Sequence, residues 1–222
     1  MLRNEKETLG LYLSGHPITE YLDELACFTS DRIAPLCERV AERTQRQPNA
    51  RWQKGTPVLL AGLIIAVRMR DTPNGRIAIA TLDDRGGRVD AVIDVGLLET
   101  SRITLEMESV LVVDGELSVD DFNGGFRIRA QAIFDLAAAR ERFARSLLIR
   151  LNKDIGRDSA LERMLETLAE HGAGSTPVTI DYDNGEASAR IRAGNRWLVR
   201  PEHSLLERLE EIAGESAIEL IY

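Results

Sequence analysis

The feature that most constrains this 222-residue chain is a series of five strand-like runs between Gly55 and Asp135. In each run apolar and polar side chains alternate, and clusters of Gly, Asn and Asp separate the runs, which is typical of half-buried strands. A stretch that suits a short helix, Val95–Ser101, lies between the third and fourth runs. The runs themselves are Val58–Arg70, Arg76–Leu82, Arg88–Ile93, Val110–Asp120 and Gly125–Asp135.

This order of five strands with a helix after the third is that of an oligonucleotide/oligosaccharide-binding (OB) barrel, a fold that usually holds a single strand. Gly62 would let the long first strand bend enough to serve both sides of the barrel. The alternation places the odd positions of that strand, from Leu59 to Met69, on the core side. In the fifth strand it places Phe126, Ile128, Ala130, Ala132 and Phe134 in the core. The alternative is another small barrel or sandwich without a ligand.

The flanking regions favour helices before the barrel and a second domain after it. Residues 1–54 are predicted to hold short helices, among them Ala34–Thr44, and a linker. Residues 55–135 form the barrel, and residues 136–222 a C-terminal α+β domain that opens with a helix over Leu136–Ser146. The predicted fold class is therefore mixed: short helices, then a five-stranded OB-type β-barrel, then a small α+β domain. The later elements of that domain are strands Leu147–Leu151, Thr176–Tyr182, Glu186–Arg192, Arg196–Arg200 and Ala217–Tyr222, and helices from Ser159 to Gly172 and over Ser204–Ala213.

Composition narrows the class of protein. The chain is 44% hydrophobic and 29% charged, and no apolar run approaches the length of a membrane-spanning helix. Cys27 and Cys37 stand ten residues apart without a Cys-x-x-Cys pattern or clustered His. We therefore expect a cytoplasmic protein with reduced thiols, no membrane partner, no metal and no cofactor.

The charge distribution limits how such a protein could hold nucleic acid. The net charge is −8, and the barrel segment 55–135 carries 8 basic and 13 acidic side chains, a net of −5. Affinity for phosphates comes largely from Lys and Arg, so binding would depend on a local arginine patch and be weak and salt-sensitive.

An OB barrel binds through the face of strands two and three and through its first and fourth connecting loops. The residues that this geometry predicts at the DNA-binding face are Arg68, Arg70, Arg76, Arg88, Phe122, Arg127 and Arg129. No aromatic residue lies between Arg76 and Ile93, so the usual stacking platform, which contributes about 1–3 kcal/mol per base, is missing. For each arginine taken singly, a solvated strand face remains the alternative.

In the C-terminal domain a partner site is predicted around the tryptophan and the polar side of the last helix. Its candidate residues are Arg196, Trp197, Arg200, Glu207 and Glu211. The leucines of that helix are explained at least as well by a buried core, because a small domain must place most of its apolar residues inside.

Paired carboxylates are the remaining candidates for chemistry. Asp83-Asp84 and Asp120-Asp121 stand beside Gly-rich turns, where Asp caps the turn with its own side chain. Neighbouring residues of a strand also point to opposite faces, so they rarely share a metal ion. The sequence therefore predicts no active site.

Several stretches closely resemble a known family. The run Glu5–Pro17 (EKETLGLYLSGHP) is similar to a segment of the alpha subunit of bacterial DNA polymerase III, and the similarity continues through Thr81–Arg88 and Asp120–Gly125. Arg196–Val199 and Ile218–Leu220 are also similar, though less specific. The resemblance implies a C-terminal part of that DNA-directed DNA polymerase, without its catalytic domains.

The resemblance also implies functions for the two domains: the barrel would guide single-stranded template DNA, and the last domain would dock the tau subunit of the clamp loader, among other replisome subunits. One alternative is a purely protein-binding scaffold module of the replisome without DNA contact. The other is an enzyme with metal-dependent nucleotide turnover.

Overall fold

A computed structural model describes residues 16–46, 55–120, 124–152 and 159–222. Contacts between residues divide the chain into two units, residues 1–135 and residues 136–222. The first is a five-stranded barrel with short helices, and the second is a four-stranded sheet with helices. The mixed fold class predicted from the sequence is confirmed. Much of the Glu5–Pro17 motif and the end of the predicted linker lie outside the described residues.

The barrel closes in the strand order β1-β2-β3-β5-β4. Neighbouring strands are antiparallel except β3 and β5, which run parallel and complete the barrel. This is the order expected of an OB barrel. The strands are β1 (Thr56–Thr72), β2 (Gly75–Asp83), β3 (Arg88–Asp94), β4 (Val110–Val119) and β5 (Phe126–Asp135).

Strand β1 pairs with two different strands, as Gly62 predicted. Residues 56–63 pair with β4, and residues 63–72 pair with β2. At this crossing Gly62 lies against β2 so closely that a Cβ atom there would stand 2.8 Å from the Cβ of Leu82. The position therefore requires glycine, because real Cβ atoms essentially never approach that closely.

The predicted core face was wrong along part of β1 and β5, because each strand contains a β-bulge. The core cluster of the barrel takes Val58, Leu60 and Ile64, although Ala61 and Leu63 of the predicted face are buried as well. The register then shifts between Ile64 and Ala66, after which Val67 packs against the core. In β5 a second shift brings Ile133 into the core instead of Ala132 or Phe134. An extra residue in one strand moves every later side chain to the opposite face.

Short helices complete the first unit. A 3-10 turn (Pro17–Tyr21) leads into α1 (Leu22–Ala26), and α3 (Val95–Ser101) occupies the predicted place between β3 and β4. Helix α2 (Ile33–Arg46) belongs to the folded core of the first unit, since one of its faces packs into the barrel core. That face consists of Ile33, Leu36, Cys37 and Val40.

The second unit contains a sheet in the order β10-β6-β8-β9, in which only β6 and β8 pair in parallel. Apolar side chains from the sheet and from two of its helices, mostly leucine and isoleucine, form its core. Its elements are α4 (Leu136–Phe143), β6 (Ser146–Asn152), α5 (Ser159–Glu170), β7 (Gly172–Thr176), β8 (Val178–Asp183), β9 (Ser188–Arg192), α6 (His203–Ala213) and β10 (Ile218–Ile221).

The predicted strand Arg196–Arg200 was wrong. A 3-10 turn (Asn195–Trp197) begins this segment, and Val199 makes only isolated bridges, to Gly172 and Thr176 of β7. The backbone of β7 comes very close there, since a Cβ atom at Gly174 would stand 2.1 Å from the carbonyl carbon of Val199. The alternating pattern of this segment therefore reflects one buried valine in an irregular crossing, and β7 was missed because it is short and Gly-rich.

Candidate nucleic-acid interface

The outer face of strands β1, β2, β3 and β5 carries most of the arginines that the sequence assigned to DNA. The strand register places Arg68, Ile79, Val92 and Arg129 in one row across these four strands. A second row contains Thr81, Asp90 and Arg127. The face therefore has an apolar middle with arginines on both sides.

A groove of about 560 Å³ runs along this face. It brings together three of the predicted residues, Arg68, Arg70 and Arg127, although they lie on two strands that are far apart in the sequence. Sequence reasoning missed the other residues of the groove, since their position depends on the strand register. They are Met69, Ile77, Ile79, Asp90, Val92 and Asp120.

Asp90 is the main electrostatic feature of the groove. One of its carboxylate oxygens accepts a hydrogen bond from Nη2 of Arg68 at 2.8 Å, and the other accepts one from Oγ1 of Thr81 at 2.6 Å. Asp90 is thereby fixed by two partners and neutralises one arginine of the groove. A phosphate that binds Arg68 must compete with this carboxylate.

The other predicted arginines differ in how far they are neutralised. Arg76 lies 3.8 Å from Asp71 in the β1–β2 hairpin, and Arg127 lies 3.8 Å from Asp120. By contrast, within the described parts of the chain, neither Arg70 nor Arg129 has an acidic group within 4.0 Å. These two guanidinium groups are the most accessible to a phosphate.

Arg88 is set apart from the groove. Its Nε donates to Oδ2 of Asp83 at 2.7 Å, and its side chain lines a separate, smaller pocket beside helix α2. Phe122, the aromatic residue predicted at the face, lies outside the described residues. Among the described residues, the floor of the groove is formed by aliphatic side chains, Ile77, Ile79 and Val92, which offer a base no aromatic stacking.

Next to Arg88, the β2–β3 turn holds a different Arg–Asp arrangement. Asp84 is buried, and one of its carboxylate oxygens accepts hydrogen bonds from the backbone N–H groups of Gly86 and Gly87 at 2.9 and 2.8 Å. The other oxygen accepts from Nε of Arg32 and from the N–H of Ile33, both at 2.8 Å. The prediction that this carboxylate caps the turn is confirmed. In addition, it fixes the start of helix α2 to the barrel.

The hydrogen bonds outweigh burial in setting the acidity of Asp84. Burial on its own raises the pKa of this carboxyl, but the donors from Ile33, Arg32, Gly87 and Gly86 stabilise the charged form and hold the pKa below its ordinary value. The low pKa marks a structural carboxylate, since every donor around it belongs to the turn or the helix start.

The candidate partner residues of the second unit fall into separate groups. Trp197 is half-buried and packs against the core of the unit, and the Arg196 guanidinium lies over its ring at 5.2 Å. Arg200 lies 3.8 Å from Glu141 and 3.7 Å from Glu202. Glu207 and Glu211 are exposed on helix α6, and Glu207 lies 3.1 Å from His203. Trp197 is thus partly a core residue, while the charged candidates remain at the surface.

Neither a metal centre nor a membrane span is found in the described part of the chain. No group of three or more His, Cys, Asp or Glu side chains there is placed to hold a metal ion. None of the helices described has the length and apolar character needed to cross a membrane.

Comparisons with known proteins agree with the two units. Residues 58–136 match the family of OB-fold nucleic acid binding domains, and residues 163–214 match the family of the DNA polymerase III subunit alpha C-terminal domain. Among solved structures, asparaginyl-tRNA synthetase from Pyrococcus horikoshii is similar over 37% of this chain and 19% of that chain, at 22% identity and a TM-score of 0.30. That likeness is too limited to carry an argument.

The most informative relatives are alpha subunits of DNA polymerase III. DNA polymerase III subunit alpha of Vibrio cholerae is 40% identical over 220 residues, which is 99% of this chain and 18% of the relative. The subunit of Escherichia coli K12 is 37% identical over 221 residues, again 99% of this chain and 18% of the relative. The chain therefore spans about a fifth of the length of the relatives it matches. Over nearly its whole length the chain is similar to these subunits, and its residues 163–214 match the model of their C-terminal domain.

Proposed function

We propose that this chain acts as a non-catalytic C-terminal part of a bacterial replicative DNA polymerase, in the cytoplasm and without a cofactor of its own. Its barrel binds single-stranded template DNA weakly, and its second unit docks the tau subunit of the clamp loader. The polymerase activity itself belongs to the longer protein that the family implies, a DNA-directed DNA polymerase.

The groove on the outer face of the barrel is the observation that carries the DNA part of the proposal. It collects Arg68, Arg70 and Arg127 around an aliphatic floor, and Arg129 extends the same face. OB barrels hold single strands by combining a basic track for phosphates with a surface on which bases rest. This face offers both, although the barrel that carries it is acidic overall.

The same face accounts for weak binding. Three of the arginines near the groove have acidic neighbours, so a phosphate gains less there than at an unneutralised side chain. The floor offers aliphatic contact in place of aromatic stacking, which is worth about 1–3 kcal/mol per base. We expect binding that is measurable at low salt and largely lost near physiological salt.

Fluorescence anisotropy of a labelled single-stranded oligonucleotide tests this proposal. The chain is titrated at low and at near-physiological salt, beside a variant in which Arg68, Arg70 and Arg127 are all replaced by Ala. We expect the variant to lose most of the affinity. The matched control replaces three exposed arginines of helix α2 by Ala, with the same change in charge: Arg39, Arg43 and Arg46.

A protein-binding scaffold without DNA contact is the second candidate, and the acidic partners of the arginines favour it. If it is correct, the oligonucleotide does not bind even at low salt, and the triple variant keeps every protein partner. Equal losses in the triple variant and in the α2 control would also contradict the groove, because they would reflect net charge alone.

The docking of tau is supported by the family match over residues 163–214 and by the exposed charged residues beside Trp197. Isothermal titration of the chain with purified tau tests it directly. Replacing Arg196 and Arg200 by Glu is expected to weaken binding, whereas replacing Arg39 and Arg43 of the first unit by Glu is expected to leave it unchanged. Absence of heat with unaltered chain would contradict the docking.

A further inference from the structure

Strand β9 forms an edge of the sheet in the second unit. Within the described residues it pairs only with β8, and the sheet order leaves its other side open. All five of its residues, Ser188–Arg192, are exposed. Exposed edges of this kind invite pairing with another strand, and proteins usually cover or blunt them.

The hydrogen-bond pattern shows which backbone groups point away from β8. Ala193 donates to the carbonyl of Val178 at 2.9 Å, and Asn184 donates to the carbonyl of Ala187 at 3.2 Å. In an antiparallel pair the bonded positions alternate. Positions 189 and 191 therefore bond to β8, and the N–H and C=O groups of positions 188, 190 and 192 face the open side.

Two of the five side chains along this edge are basic, and one is a large exposed apolar residue. Ile191 is 52% exposed, although it stands on the core side of the sheet opposite Ile180. The surrounding segment 186–200 contains four Arg and one Glu, a net of +3, while residues 136–222 together carry a net of −3. Arg190 is bonded to Asp181 at 2.8 Å, and no acidic group described lies within 4.0 Å of Arg192.

We propose that β9 docks an extended, acidic segment of a partner protein, which adds to the sheet as a further strand. The outward backbone groups bind its main chain, Arg192 pairs with its carboxylates, and an apolar side chain of the segment covers Ile191. Strand addition of this kind takes its affinity from main-chain hydrogen bonds and its specificity from the side chains.

Charge argues for an acidic partner and against a second copy of this chain. If two copies paired through β9, Arg190 and Arg192 of one would face the same arginines of the other, and like charges on neighbouring strands repel. An acidic segment places carboxylates opposite those arginines instead. Because it specifies where a protein partner binds the second unit, this inference rests on the docking part of the proposed function.

Amide hydrogen exchange of the whole chain, alone and saturated with purified tau, tests the inference. Free protein should exchange the amides of residues 188, 190 and 192 quickly and those of 189 and 191 slowly. With tau bound, we expect the three outward amides to slow by at least about tenfold, since each gains a main-chain acceptor. If tau binds while these amides exchange as before, strand addition at β9 is contradicted, but the docking of tau to the second unit is not. Absence of tau binding overturns both.

Two variants of one residue separate main-chain pairing from charge. Arg192→Thr removes the guanidinium and keeps the outward N–H. Arg192→Pro removes both the guanidinium and the N–H. The pairing with β8 stays intact in either variant, because the N–H of residue 192 points away from β8. We expect Pro to weaken tau binding about tenfold more than Thr, with an unchanged melting temperature. Equal affinities would overturn strand addition, as would outward amides that slow with protein concentration alone, which would indicate a second copy.

Discussion

Two aspartates of the first unit each bind an arginine, Asp84 in the β2–β3 turn and Asp90 on strand β3, but their other partners and their burial differ. At the β2–β3 turn, Asp84 is buried and receives three backbone N–H groups besides the guanidinium of Arg32. On the outer face, the side chain of Asp90 is 26% exposed, and its partners among the described residues are side chains, those of Arg68 and Thr81. The first pair joins a helix to the barrel, and the second lies where a ligand would bind.

The difference shows that backbone donors, more than the ion pair itself, decide what such a carboxylate does. An exposed pair contributes little to stability, since water and salt screen it. A buried carboxylate with several donors is costly to remove, because several donors then lose their partner at once and the buried ones cannot turn to water. Asp84 should therefore control stability, and Asp90 should control affinity.

Replacing Asp84 by Ala should have the largest effect. We expect the variant to lose about 3 kcal/mol of unfolding free energy, because four donors lose their acceptor and α2 loses its link to the turn. Urea denaturation followed by circular dichroism measures this loss. Asp71→Ala, at the exposed hairpin between β1 and β2, is the matched control and should change stability little. Similar losses in the two variants would contradict the distinction.

Acid should weaken the same link. The folded-state pKa of Asp84 lies below its ordinary value of 3.8, so the charged carboxylate stabilises the fold above that pH. This contribution is lost as the pH falls from about 3.8 through the lower folded-state value. The difference in unfolding free energy between the natural chain and Asp84→Asn should therefore be constant near neutral pH and shrink below pH 4. A difference that stays constant down to pH 2 would show that the charge is not involved.

The sequence predicts a feature of these regions well where the feature depends on contacts between residues that are close along the chain. The five strands, the helix after the third and the turn cap at Asp84 follow from alternation and from neighbouring residues, and the structure agrees with each. The contact between Arg32 and Asp84 spans 52 positions, and no local pattern indicates it.

The groove could be predicted only in part, for the same reason. Its arginines followed from the outward face of the strands, but Asp90 and Thr81 enter only through the register between strands. The bulge after Ile64 carries no sequence signal because residues 58–67 are all apolar or glycine, and the one near Ala132 carries none because residues 132–134 are all apolar. One added residue was enough to misplace half of a predicted core face.

Replacing Asp90 by Asn should strengthen DNA binding. The change frees the Arg68 guanidinium and removes a negative charge from the groove, while the amide oxygen still accepts from Thr81. We expect about three- to tenfold tighter binding of a single-stranded oligonucleotide at low salt, and a salt dependence of log K that steepens by about 0.7. Asp114→Asn, on β4 and away from the groove, changes the net charge equally and should have a smaller effect. Unchanged affinity in Asp90→Asn would mean that DNA does not reach this face.

The smallest effect on DNA binding is expected to distinguish Arg70 from Arg88, two arginines that look equivalent in the sequence. Arg70 lines the groove without an acidic partner among the described residues, whereas Arg88 is held by Asp83 and lines the other pocket. Arg70→Ala should therefore weaken oligonucleotide binding about threefold and reduce the salt dependence of log K by about 0.7, as expected for one lost phosphate contact. Arg88→Ala should leave both quantities unchanged in the same titration. If Arg88→Ala weakens binding as much as Arg70→Ala, the bound DNA strand must also contact the β2–β3 turn. The turn would then have both a structural and a binding role.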